Sequence, residues 1–225
     1  MQTGYQYDAL HRLLSVTEAG NATAGYTYDA HGNVTQVTDA KNKVTSFTYD
    51  DFGRKISGTA PDTGLTSYSY DKSGNLISVT DAKGQSTGFT YDALNRPVSQ
   101  SYAGAGGNIL FTYDQGTNAI GRLNKIQDRE GTDSFAYDNK GRITTETRVI
   151  GTTSHTIGYS WDTTTGELAG MTYPSNLSLA YTRDAGGQIS AISMNGTSLV
   201  SSVSHLPLRA FKKRCPGFGQ PDPQL

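Results

Sequence analysis

The side chains of this sequence best placed to do chemistry are its aspartates, because they recur in one context. Eight follow an aromatic residue directly, at Tyr7-Asp8, Tyr28-Asp29, Tyr49-Asp50, Tyr70-Asp71, Tyr91-Asp92, Tyr113-Asp114, Tyr137-Asp138 and Trp161-Asp162. Two carboxylates about 5 to 9.5 Å apart across a glycosidic bond can hydrolyse it, and clusters of them can bind calcium. A hydrolytic pair belongs to one place and should break a repeat. These acids occupy equivalent places throughout, so no pair stands out and no catalytic residue is assigned. Calcium fares no better, since each copy supplies one carboxylate and the Gly-Gly-x-Gly-x-Asp spacing of calcium rolls is missing. His11, His31, His155 and His205 are far apart and lack metal-ligand spacing. Gly104-Ala105-Gly106-Gly107 precedes a strand-like stretch, Asn108 to Tyr113, rather than a helix, so it reads as a hairpin loop and not a phosphate cradle. The expectation is a chain that is not an enzyme, with no metal site and no cofactor.

A single carboxylate has a humbler use, which is to accept backbone hydrogen bonds in a turn. Three residues after the aspartate stands Gly32, Gly53, Gly74, Gly141 or Gly187, with Asn95 or His11 where glycine is missing. These residue types best tolerate positive φ, and Asp-x-x-Gly is the sequence of a type I turn. Half a repeat later the same chemistry returns in Asp39-Ala40-Lys41-Asn42, Asp81-Ala82-Lys83-Gly84 and Asp128-Arg129-Glu130-Gly131. One repeat is therefore two short strands and two turns.

Successive aromatic-Asp pairs are 21, 21, 21, 21, 22, 24 and 24 residues apart, and Arg183-Asp184 forms a degenerate ninth copy 22 residues on. Six-residue strands and four-residue turns sum to roughly this repeat and leave no room for helices. A second aromatic stands two residues before most of these positions, as in Tyr5/Tyr7, Tyr26/Tyr28, Phe47/Tyr49, Tyr68/Tyr70 and Phe89/Tyr91. Period two places both rings on one face of a strand, and stacked repeats should join them into an aromatic stripe that forms the core. Apolar residues after the turn, such as Val34 and Val37 or Leu76 and Val79, are three apart, which a bulge or a strong twist would explain. The fold class expected is all-β, built of tandem two-stranded hairpins of about 21 residues. A β-propeller with two repeats per blade is the alternative, although the aromatic positions do not alternate between odd and even copies.

Composition agrees and excludes other classes. The 19 basic and 20 acidic side chains nearly cancel, so no net field draws the chain to nucleic acid or to an anionic membrane. No run of 18 apolar residues spans a membrane, and Met1 to Ala9 lacks the pattern of a secretory signal. Cys215 is a lone cysteine with no internal partner for a disulfide, which leaves the compartment open. Beyond His205-Leu206-Pro207 the repeats stop, and the tail to Leu225 carries four of the seven prolines with Lys212, Lys213 and Arg214. Two regions are expected, a repeat array over residues 1–204 and a non-repeat tail over 205–225, the latter read as the product of a frameshift or premature stop.

The string Tyr26-Thr27-Tyr28-Asp29-Ala30-His31-Gly32-Asn33, repeated around Tyr70 and Tyr137, resembles the YD repeat of bacterial RHS proteins and the related teneurins. That resemblance implies a continuous β-ribbon spiralling into a hollow shell, which in RHS proteins encloses a C-terminal polymorphic toxin used in competition between bacteria. The family is secreted or attached to the cell surface. A secretion-adaptor domain and the self-cleaving core segment that closes the shell have no counterpart here; Pro221-Asp222-Pro223-Gln224-Leu225 is only faintly similar to the latter. The partners implied are the remaining repeats and the toxin domain of a longer parent protein. The competing expectation is a module that binds carbohydrate or a cell-surface protein through exposed aromatics. Buried rings would favour the shell, and a solvent-facing row of tyrosines the binding module.

Overall fold

The computed structural model describes residues 3–104 and 106–203, so the proline-rich basic tail and Cys215 lie outside the described residues. The described chain is strands and turns, with no helix among them. It forms two compact units that divide between Thr156 and Ile157.

The first unit holds β1 (Gly4–Tyr7), β2 (Leu13–Thr17), β3 (Thr23–Tyr28), β4 (Val34–Thr38), β5 (Val44–Tyr49), β6 (Lys55–Ala60), β7 (Gly64–Tyr70), β8 (Leu76–Thr80), β9 (Ser86–Tyr91), β10 (Pro97–Tyr102), β11 (Ile109–Tyr113), β12 (Leu123–Gln127), β13 (Gly131–Tyr137) and β14 (Ile143–Ile150). Each pairs antiparallel with the next, without interruption. Propeller blades would break the pairing at every fourth strand. The fold is a meander of hairpins and not a propeller. In the second unit β15 (Thr153–Trp161, which spans the division), β16 (Leu168–Thr172), β17 (Ser178–Arg183), β18 (Ile189–Met194) and β19 (Thr197–Val200) continue the same pattern.

The spacing of three has a structural cause. Tyr28 pairs with Val34 and Thr27 with Gln36, so Thr35 is an extra residue in β4. The same shift recurs at Tyr7, Tyr49 and Tyr70. This bulge returns Val34 and Val37 to one face, where they oppose Tyr28 and Tyr26. Tyr68 likewise opposes Val79, and Tyr70 opposes Leu76, so these aromatic pairs rest on an apolar pair across the hairpin, whereas Phe47 and Tyr49 oppose Gly58 and Lys55.

The stripe does not form a sealed core, which corrects the expectation from the sequence. Among the described residues the only buried hydrophobic side chain is Ala119. From Tyr26 onward the paired rings are half-buried, and Tyr5 and Tyr7 are exposed. Period two specifies which side chains share a face, but full burial needs a second layer packed on that face. Here the rings are covered from the sides by neighbouring strands.

Candidate functional site: the aspartate turn ladder

Each aspartate of the aromatic-Asp pairs begins a tight turn at one edge of the sheet. In the first, the Leu10 and Arg12 amides donate to Asp8 Oδ1 at 2.8 and 2.9 Å, and Arg12 Nε donates to Oδ2 at 2.7 Å. The His11 amide closes the turn on the Asp8 carbonyl at 3.0 Å. The pattern repeats at Asp29, Asp50, Asp71, Asp92 and Asp138. The fourth turn residue has positive φ throughout, at Gly32 (88°), Gly53 (74°), Gly74 (90°) and Gly141 (78°), and at His11 (61°) and Asn95 (60°). Such a turn followed by one left-handed residue is the standard three-residue hairpin loop, and the bulge described above follows it within the next strand, at Thr35 in the second copy.

Three turns depart from this scheme. The loop from Asp114 to Arg122 is longer, Asp114 itself has φ of 64°, and the Gly121 amide donates to its carboxylate at 2.6 Å. Asp162 caps a loop closed by Gly166, its carboxylate accepting from the Thr164 and Thr165 amides, while Trp161 pairs with Leu168 at the bulge. In the half-repeat turn at Asp128, Gly131 is no left-handed fourth residue. It opens β13, and a Cβ there would run into the Val149 carbonyl, so glycine is required by close approach of backbone. Arg148 ties this turn down, its guanidinium lying 2.9 Å from Asp128 and 2.7 Å from Asp133.

The tyrosines link one repeat to the one before. The phenol of Tyr28 donates to the Leu13 carbonyl at 2.7 Å, Tyr49 to Val34, Tyr70 to Lys55, Tyr91 to Leu76, Tyr113 to Pro97 and Tyr137 to Leu123. Sequence inspection of the rings and acids missed a second link, the residue after the left-handed position. Arg12, Arg54 and Arg96 each bind their own turn aspartate and lie over the next repeat's ring, 4.7 Å from Tyr28, 4.8 Å from Tyr70 and 4.4 Å from Tyr113. Arg12 and Arg54 also donate to the next turn's backbone, at the carbonyls of Asp29 and Asp71. In the intervening copies Asn33 and Asn75 stand in this place and hydrogen bond to their aspartates at 2.9 Å. Over the first five copies the period is thus two repeats at this position, although it is one repeat for the rings; Arg122 and Arg142 then follow in succession. The signal was legible as Arg/Asn alternation after the glycine position.

Hydrogen bonding holds these carboxylates below the ordinary aspartate range. For Asp8 and Asp92 the main cause is the backbone amide of the arginine four residues on, and for Asp29 and Asp71 it is the side chain of Asn33 or Asn75; partial burial opposes the shift in each. For Asp50 and Asp138 burial is the largest influence and raises the value, but the combined bonds from Arg54 or Arg142 outweigh it. Arg96 is held more firmly charged by hydrogen bonds to Asp114 and then Asp92. A carboxylate occupied by two amides and a side chain is committed to its turn and is a poor proton shuttle.

Beside the third and fourth turns lies an open groove of about 620 Å³, lined by Phe52, Arg54, Tyr70, Asp71, Lys72, Ser73 and Gly74. Asp71 is its one carboxylate, so no acid pair converges there. Among the described residues no three His, Cys, Asp or Glu side chains are grouped to hold a metal ion.

The RHS repeat family model matches residues 28–65 and 70–107, which hold the turns from Asp29 to Asp92. No curated protein matches the chain. Among solved structures, TcdB2-TccC3-Cdc42 superposes with a TM-score of 0.74 at 16% identity, covering 90% of this chain and 12% of that one. TcdB2-TccC3 without its hypervariable C-terminal region gives 0.58 at 13% identity, covering 90% and 15%. The Photorhabdus luminescens Tc holotoxin pore carrying a TccC3 mutation gives 0.56 at 14%, again covering 90% and 15%. At such identities the likeness is one of fold, and this chain spans less than a sixth of the length of those chains. The two matched segments make up about a third of the chain, and over them the turns, bulges and strand-to-strand pairing follow the pattern of RHS-repeat proteins, to which this chain is similar.

Proposed function

We propose that this chain is a non-catalytic wall segment of an RHS shell, whose parent protein encloses a C-terminal toxin used in competition between bacteria. The observation that supports it most is a long hairpin meander whose recurrent acids are spent on turns and whose rings are spent on linking repeats. Such a sheet separates two spaces but offers no converging reactive groups. Its likeness to a small part of much longer chains supports a parent with further repeats, which with the toxin domain would be the chain's partners. Sequencing the encoding DNA onward from the Leu206 codon, in all three frames, tests this. Further RHS repeats followed by an unrelated domain support an enclosing shell; their absence counts against it.

One observation favours a second reading, in which the array binds carbohydrate or a cell-surface protein. The aromatic face is only half-covered, with Tyr5 and Tyr7 58% and 57% exposed. Saturable binding of defined oligosaccharides, lost on changing Tyr5 and Tyr7 to Ser together, would support that reading.

A further inference from the structure

The tips of the turns alternate in a way the rings do not. The third residue of each tetrad is Leu10, His31, Phe52, Ser73 and Leu94 in turn, and Ile120 stands at the tip of the longer sixth loop. The apolar tips are the most exposed large hydrophobics among the described residues, with Leu10 at 72%, Phe52 at 85%, Leu94 at 71% and Ile120 at 82%. Placing four such side chains on one edge of one sheet leaves them uncovered by any of the described residues. The opposite edge carries Lys41 and Lys83 at the corresponding places.

One knob on this edge stands beside a hollow. Phe52 projects from the third turn with the Arg54 guanidinium 5.2 Å from its ring, while the groove beside it is floored by the fourth turn, Lys72, Ser73 and Gly74. Adjacent turns are two strands apart, roughly 9.6 Å at about 4.8 Å per strand. We propose that this edge of the first unit is a self-complementary interface that takes a second copy of the same chain, related by a two-fold axis passing between the Phe52 and Ser73 turns.

Three features select that occupant. Reversal about the axis places each Phe52 over the partner's Ser73-Gly74 hollow. It also sets Leu94 against the His31 imidazole and Leu10 against Ile120, so every apolar tip meets the hollow, a ring or another apolar tip. Charge agrees, because exposed Asp51 sits on the knob turn and exposed Lys72 on the hollow turn, and the two-fold brings each to the other. Finally, only a partner with the same two-repeat spacing engages all the tips at once, and an isologous contact satisfies that with one surface. The interface follows from turn geometry and stands apart from what the array encloses.

Sedimentation velocity of the full chain over a range of concentrations tests the proposal. A monomer–dimer equilibrium is expected, with the dissociation constant raised tenfold or more by Phe52→Ser, a change at an exposed tip that leaves the turn hydrogen bonds in place. Asp51→Lys and Lys72→Glu should each weaken the dimer, and the two together should restore it. A wild-type chain that stays monomeric, an open series of larger assemblies, a Phe52→Ser chain that associates as before, or failure of the double charge swap to restore the dimer would each overturn it.

Discussion

Replacing Gly74 with valine isolates the backbone contribution of one turn. Gly74 has φ of 90°, and a Cβ built on it meets nothing closer than Arg54 Nη1 at 3.9 Å, which is ordinary contact. No steric collision enters, so the penalty is conformational. An L-residue held in the left-handed region loses about 1–2 kcal/mol, and a strained site up to about 3 kcal/mol. For valine, whose branched Cβ crowds the following carbonyl, about 2–3 kcal/mol is expected. At about 2–4 °C per kcal/mol for a unit of this size, the melting temperature should fall by about 4–12 °C. Gly74→Asn is the control. Asparagine already occupies the equivalent place at Asn95 with φ of 60°, so this change should cost less than about 1 kcal/mol. Asp71→Asn keeps an oxygen for the Ser73 and Asn75 amides and should be milder than Gly74→Val. Thermal melts followed by circular dichroism compare the three. If Gly74→Val melts with Gly74→Asn, or Asp71→Asn is as damaging as Gly74→Val, the account of the turn is wrong.

Further outcomes follow from the links between repeats. Tyr49→Phe removes the 2.8 Å bond to the Val34 carbonyl and should cost about 1 kcal/mol in chemical denaturation; an unshifted midpoint would show that water replaces the phenol. Gly131→Ala drives a methyl group onto the Val149 carbonyl and should cost about 1–3 kcal/mol, read as faster amide exchange in the β13–β14 hairpin and unchanged exchange near β3. The aspartates of Asp8, Asp29, Asp71 and Asp92 titrate lower folded than unfolded. Their contribution is therefore complete above the unfolded value of about 4 and is lost as the pH falls through the lowered folded values. Denaturation midpoints should hold steady from pH 8 to 5 as far as these groups are concerned and drop below about pH 4; a drop centred near pH 6 would implicate other groups.

The order of elements was legible in the amino-acid sequence because each is decided locally. Asp-x-x-Gly closes a turn within five residues, and period-two aromatics assign a face without reference to distant chain, so strands and turns could be placed in advance, while the register decided for a bulge over a strong twist. The left-handed residues were legible for the same reason, down to Asn95 and His11 replacing glycine. Pairing partners lie outside any single repeat. A 42-residue blade and an uninterrupted meander use identical hairpins, and only the hydrogen bonds from each strand to the next distinguish them. Burial was likewise beyond local pattern, since alternation names the apolar face but not whether a second layer covers it, and the rings proved half-covered. Arg12, Arg54 and Arg96 make the same point. Their charge and position were visible, but each reaches the tyrosine of the following repeat, some sixteen residues on, and such a contact exists only once neighbouring hairpins lie side by side at strand spacing.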